Sequence, residues 1–241
     1  MALPKIQTPV FETKLLSNGK VIEYRQFLVK EQKILLIASE SKEEKDTVKA
    51  VKQVLNNCII TPDIDVDNLP IFDIEYLFLQ LRARSVGETA KLKYKCNNTV
   101  GENKELCGNV VKIFVNLLEI NPTFDKDHSN DIKLSDKLGI VMKYPTFNMV
   151  EKLNIKSEVD MLNVISVLID YIYDEDQIYY AKDSTKEELD EFVDGMSEDD
   201  TAKIRKFFNT MPKIQKDVEF KCKACGYTEV MHLEGIQSFL V

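Results

Sequence analysis

Two short stretches carry the residues whose types and spacing could do chemistry. KYKCNNTVGENKELCG, Lys93 to Gly108, holds Cys96 and Cys107 with ten residues between them, and FKCKACG, Phe220 to Gly226, holds Cys222 and Cys225 in a tight C-x-x-C. The flanks match: Tyr94-Lys95-Cys96 parallels Phe220-Lys221-Cys222, and Cys107-Gly108 parallels Cys225-Gly226. A glycine directly after the second cysteine permits the positive φ that turns backbone N–H groups toward a thiolate sulfur. Two such hairpins brought together present four sulfurs, the ligand set of a closed tetrahedral zinc site. The sequence therefore predicts a structural metal, Zn²⁺, on Cys96, Cys107, Cys222 and Cys225.

Other uses of these thiols weigh less. A thioredoxin-like redox pair opens a helix after a strand, whereas Gly226-Tyr227-Thr228 leads into further strand. His232 could replace one sulfur, but it sits in the alternating run MHLEG and reads as a surface histidine. Counting cysteines leaves iron open beside zinc. Lys91, Lys93 and Lys95 precede the first pair, and Lys221 and Lys223 flank Cys222. Cations there offset the double negative charge of a divalent ion with four thiolates. The fifth cysteine, Cys58 in NNCIITP, follows a helical pattern among aliphatics and reads as a small buried apolar residue. A metal saturated by protein has no open position for water or substrate, so the site is expected to hold the fold and not to catalyse.

The elements that must position the cysteines follow from pattern. ETAKLKYKC and GNVVKIFVNLLEI flank the first pair as strands, and DVEFKC and YTEVMHLEG flank the second. At the N-terminus, FETKLLSNGKVIEY predicts a β-hairpin about Asn18-Gly19. FLVKEQKILLIA is ambiguous between helix and strand; from Ser41 the spacing of Val48, Val51, Val54 and Leu55 is helical, with Ser41 as its cap. FDIEYLFLQLRARSVG predicts a buried helix with Ile74, Leu77, Phe78 and Leu81 on its apolar face and Gly87 past its end. Between the cysteine pairs the chain reads as mostly helical. Val159, Leu162, Ile165, Ile169 and Ile172 form one stripe, Thr185 and Glu188 fit a capping box, and a helix with Ile204, Phe207 and Phe208 ends near Met211-Pro212.

These readings give an α+β fold: a four-cysteine zinc ribbon of two β-hairpin knuckles, with an N-terminal β-hairpin and a mostly helical insertion. The expected organisation is one domain over 1–241. Residues 1–88 form the N-terminal hairpin and helices, 89–120 and 213–241 the ribbon halves, and 121–212 the insertion.

Composition narrows the function classes. With 44% hydrophobic and 30% charged residues in 241, the chain can bury a core and is neither disordered nor fibrous. The longest apolar run, Met161 to Tyr173, is broken by Asn163 and Asp170 and is too short to span a bilayer. The start, MALPKIQTPVFETK, has no apolar signal core, so a reducing cytoplasm is expected. Between Asp174 and Asp200 twelve acids face only Lys182 and Lys186, a net −10; against the total of −8, the rest of the chain is +2. That segment reads first as a solvated helical face and second as a docking surface for a basic partner. There is no Gly-rich phosphate loop, no G-x-S-x-G elbow, and only His128 and His232 for acid–base work, so no catalytic or cofactor-binding residue is assigned. Nucleic-acid association, as of a transcription-type zinc-ribbon factor, is the rival class. The knuckle lysines favour it; the acidic total, the absence of Trp and four scattered arginines (Arg25, Arg82, Arg84, Arg205) oppose it.

LPIFDIEYLFLQLRARSVGE (Leu69 to Glu88), GIVMKYPTF (Gly139 to Phe147) and HLEGIQSFL (His232 to Leu240) occur in that order, with FLVKEQKILLIA before them and the paired cysteine hairpins between. In this order and joint presence the chain resembles, over nearly its whole length, the baseplate hub assembly proteins of T-even-like contractile-tailed bacteriophages. The resemblance implies a structural protein that helps to build the central hub of the tail baseplate, around which the wedges assemble. It implies contacts with other baseplate hub proteins, no small-molecule substrate and no catalysis. The implied locations are the host cytoplasm during assembly and the virion tail baseplate. The four cysteines are the only site residues it carries.

Overall fold

The apolar face of LPIFDIEYLFLQLRARSVG organises the first half of the chain. The computed structural model describes residues 7–41, 43–101, 104–152, 164–235 and 238. Its N-terminal hairpin pairs β1 (Val10–Lys14) with β2 (Val21–Arg25), and three helices follow: α1 (Val29–Ser41), α2 (Glu44–Cys58) and α3 (Ile71–Val86). On α3, Ile74, Leu77, Phe78 and Leu81 are all buried, at about 2 kcal/mol of apolar transfer each. Helix α1 resolves the ambiguity of FLVKEQKILLIA in favour of helix.

Three local readings are amended. The Asn18-Gly19 signal does mark a hairpin, but its connection runs from Leu15 to Lys20 and not over two residues. Gly19 takes φ +70, and the buried Asp73 carboxylate accepts the N–H groups of Leu16 at 2.6 Å and Ser17 at 3.2 Å, which holds the longer loop open. Ser41 ends α1, its Oγ donating to Ala38 O; the N-cap of α2 is Glu43, with no side-chain bond. Glu31, at the start of α1, is buried: it accepts the Leu28 N–H and pairs with Arg25 at 3.0 Å and Lys30 at 3.3 Å. Arg25 also donates to Asn57 O, so one ion pair joins β2, α1 and the end of α2.

The strands about the cysteines form two separate antiparallel ladders. β3 (Thr89–Lys95) pairs with β6 (Val110–Asn116), Lys93 opposite Lys112; β11 (Gln215–Lys221) pairs with β12 (Thr228–Glu234), Val218 opposite Met231. The lengthened first turn is itself a small hairpin, β4 (Thr99–Val100) against β5 (Glu105–Leu106). Alternation decides the faces: Ala90, Leu92, Ile113, Val115, Phe220 and Leu233 turn inward and share one core with Leu79 and Ala83 of α3.

Two compact units result: residues 1–66, 72–123 and 213–241 in one, and 67–71 with 124–212 in the other. The second contains what sequence reading missed. Beside α4 (Phe147–Lys152), α5 (Lys186–Asp194) and α6 (Glu198–Thr210) lies a four-stranded antiparallel sheet. Its strands are β7 (Asp131–Lys133), β8 (Gly139–Met142), β9 (Ile169–Tyr173) and β10 (Ile178–Tyr180). They lie side by side in chain order, from β7 at one edge to β10 at the other. The expected long helical stripe therefore breaks. Residues 164–168 are helical, but Ile169 and Ile172 belong to β9, where they pair with Met142 and Ile140; Val159 and Leu162 lie outside the described residues. IDYIY is β-branched and aromatic, and pairing on both sides satisfies its backbone better than one more helical turn. The capping box of Thr185 and Glu188 is present on α5, with a second, Ser197 and Asp200, on α6. Ile165, Ile204 and Phe207 close this unit's core.

Removing Glu31 tests the first unit. Glu31→Ala leaves Arg25 partly buried without its partner and is predicted to cost about 3 kcal/mol in urea unfolding. Arg25 and the Leu28 N–H overcome the burial that would raise the Glu31 carboxyl and hold it below its ordinary 4.5. A carboxyl lowered by folding stabilises above its unfolded value and loses that contribution as pH falls through the folded one. The wild-type advantage over Glu31→Ala should thus be full at pH 7 and shrink below about pH 4.5; a difference constant with pH would contradict this.

Candidate metal centre

The two cysteine turns are built by the same backbone bonds. In the first, Cys96 N–H donates to Asn109 O at 2.8 Å and Gly108 N–H to Cys96 O at 3.1 Å. In the second, Cys222 N–H donates to Tyr227 O at 2.8 Å and Gly226 N–H to Cys222 O at 2.8 Å. Gly108 and Gly226 take φ +63 and +75, the left-handed region in which a Cβ is strained. That conformation aims the next residue's amide back: Asn109 N–H bonds the Cys107 sulfur, and Tyr227 N–H the Cys225 sulfur. The N–H of Asn98 serves Cys96, and those of Ala224 and Cys225 serve Cys222. Ten residues can stand where the other turn has two because β4–β5 is a side excursion, closed by Cys107 N–H on Asn98 O at 2.8 Å.

The four cysteines from the two turns converge. All four sulfurs lie within 4.8 Å of one another; Cys96 Sγ is 3.7 Å from Cys225 Sγ, and Cys107 Sγ 3.8 Å from Cys222 Sγ. These separations far exceed a disulfide's ~2.05 Å. They match the edge of a tetrahedron: four sulfurs at about 2.3 Å from one ion stand about 3.8 Å apart. The close approaches run between the turns, so an ion there would join chain segments with residues 108–221 between them.

Below the sulfurs the pairing is aromatic. Tyr94 and Phe220, each two residues before a cysteine, have ring centroids 4.5 Å apart, worth about 1 kcal/mol beyond area burial. Tyr94 Oη donates to Glu229 across the two ladders at 2.9 Å. Read from the sequence alone, Asn98 and Asn109 have no assigned role. Their side-chain amides cross to the other turn, Asn98 Nδ2 to Cys225 Sγ at 3.6 Å and Asn109 Nδ2 to Cys222 Sγ at 3.4 Å. Each asparagine stands two residues after a cysteine of the first turn, and that position is its trace in the sequence.

Electrostatics set the two cysteine turns apart. The N–H of Cys225 and the Asn109 amide bring the Cys222 thiol down to about 6, and the N–H of Tyr227 with Asn98 lowers Cys225. At Cys96 the Asn98 N–H favours the thiolate, but burial and the bonds from the other three thiols outweigh it and push the thiol up to about 12. Cys107 is raised against the N–H of Asn109 by burial and by Cys225 and Cys222. The thiols of one turn are thus lowered and those of the other raised, because adjacent thiolates repel. A divalent cation among them would displace the protons and take their place.

The remaining candidates have other partners. Cys222 and Cys225 sit in a turn between β11 and β12, not at a helix start. His232 lies on exposed β12, with Nδ1 2.6 Å from Asp217 and Nε2 3.2 Å from Glu234; Asp217 and then Glu234 raise its pKa. His128 is held by Thr210 Oγ1 and Tyr144 Oη at 2.9 Å each. Cys58 is fully buried, and burial pushes its thiol up to about 11 although Arg25 Nη1 lies 3.6 Å away.

The crossing amides make a prediction. Asn98→Ala and Asn109→Ala each remove one donor to a sulfur and should weaken metal binding by about tenfold, measured by competition with a chromogenic chelator. Asn57→Ala, away from the sulfurs, should not; equal affinities across all three variants would show that the amides do not position the ligands.

The chain matches, over residues 8–241, the family described as T4 bacteriophage base plate protein. No curated protein and no solved structure matches it. No helix among the described residues is long and apolar enough to cross a membrane. With the match spanning all but the first seven residues, the chain belongs to the T4-like phage baseplate protein family.

Proposed function

We propose that this protein helps to build the central hub of the tail baseplate by binding other hub proteins, with a four-cysteine zinc site as its staple. The observation that carries the reading is the family match over residues 8–241, which makes the protein a structural part of the baseplate. The four-cysteine set supports zinc: sulfurs within 4.8 Å of one another, two pairs of them at 3.7 and 3.8 Å, each sulfur with a backbone N–H, suit a closed structural ion with no position left for substrate. In this reading the ladders about the cysteines are the two halves of a zinc ribbon, 89–120 and 213–241, and 121–212 is an insertion. All four cysteines lie in the first compact unit, so in this reading the metal ties together the two segments, 72–123 and 213–241, that flank the insertion.

Surface chemistry supports protein partners. Helix α1 exposes Val29, Leu36 and Ile37 at 66%, 55% and 69%, and α3 ends on Val86 at 62%. Apolar side chains grouped on neighbouring helices favour a protein-binding face. Assembly in the host cytoplasm followed by residence in the tail completes the proposal.

Co-purification tests it. Tagged protein from infected cells should retain other tail hub proteins at roughly 300 mM salt, where exposed charge pairs are screened. Val29→Asp with Ile37→Asp should release them without loss of fold. Retention of DNA or polymerase that falls with rising salt would instead make the protein a nucleic-acid-associated zinc-ribbon factor.

A further inference from the structure

The outer face of the β3–β6 ladder is a basic strip. Because side chains alternate, Leu92, Ile113 and Val115 turn to the core while Thr89, Lys91, Lys93, Lys95, Val110, Lys112, Phe114 and Asn116 face out. Four of these eight are lysines and none is acidic. Lys93 stands directly opposite Lys112, and Lys91 opposite Phe114, with its Nζ 5.9 Å from the ring centroid. None of the four lysines forms an ion pair among the described residues. Phe114 is 64% exposed and Val110 54%. Adjacent like charges in a ladder are unfavourable when alone. A basic strip with no acid on its own face and an exposed aromatic at its centre suits an acidic partner surface.

Its complement is on the same chain. Helix α5 buries Val193 and packs Phe192 into the core of its unit, which leaves Glu187, Asp190, Glu191 and Asp194 on the opposite stripe. None of these four acids forms an ion pair among the described residues. The dimensions agree: Lys91 to Lys95 spans about 14 Å of strand, and Glu187 to Asp194 about 11 Å of helix. A helix about 10 Å across fits a two-stranded face of similar width.

We propose that α5 of one copy docks on the β3–β6 face of a second copy, acids on lysines, in a head-to-tail contact. The two surfaces differ, so the contact is heterologous and repeats from copy to copy, closing a ring or extending a chain. The face amounts to a few hundred Å², well under the ~800 Å² per partner of a stable complex. The association is therefore reversible and salt-sensitive, suited to copies already concentrated on an assembling structure.

Charge exchange tests it on the full, metal-loaded chain by sedimentation velocity. At about 100 µM protein, the wild type should at least double its apparent mass in roughly 30 mM salt and revert to monomer near 300 mM. One variant carries K91E, K93E and K112E; another carries E187K, E191K and D194K. Each alone should stay monomeric at low salt, since both of its surfaces then carry one sign, and an equimolar mixture should associate again. K91Q with K93Q and K112Q, checked for metal content and circular dichroism, should weaken association at least tenfold and separates lost charge from lost fold. A wild type monomeric at low salt, single variants that associate normally, or a mixture that stays monomeric would each overturn the proposal. So would a single-stranded DNA oligonucleotide that binds the wild type at about 150 mM salt through these lysines, since the strip would then be a nucleic-acid surface.

Discussion

Convergence of four sulfurs from two distant hairpins is the constraint on which the rest of the first unit depends. Each ladder has only two strands, and a two-stranded ribbon is marginal in water by itself. Two devices make the pair stable. The inward residues of both ladders share a core with Leu79 and Ala83 of α3. Above that core the cysteine turns meet through sulfur, with the Tyr94–Phe220 contact between. Bringing residue 222 to residue 96 costs closure entropy, and an ion bound by all four sulfurs only in the folded state would offset it directly.

Much of this was legible because it is local. The glycine after the second cysteine, the alternating strands before and after each pair, and the apolar face of α3 lie within a few residues of the positions they govern. Both glycines take the left-handed conformation expected of them. The parallel between Tyr94-Lys95-Cys96 and Phe220-Lys221-Cys222 reappears as matched backbone bonds and as an aromatic pair.

What stayed hidden depends on distant partners. Asp73 accepts from Leu16 and Ser17, more than fifty residues earlier, and nothing near it in sequence reports that. Glu31 lies only six residues from Arg25, but FLVKEQKILLIA left helix and strand open, and the pair exists only once α1 folds back on β2. The strand at Ile169–Tyr173 was concealed by its spacing: Ile165, Ile169 and Ile172 fit a helical stripe, and only pairing with β8 and β10 decides for sheet. The asparagine amides were missed for a different reason. Asn98 and Asn109 act on sulfurs of the other turn, so their role exists only once the turns have met.

The central claim is that one ion is held by all four cysteines. Metal analysis of the freshly purified chain with X-ray absorption at the metal edge tests it most directly. The account predicts one zinc per chain with four sulfur neighbours at about 2.3 Å and no nitrogen or oxygen in the shell. A chain that carries no zinc or iron when isolated under reducing conditions, or a metal with fewer than four sulfurs, would contradict it.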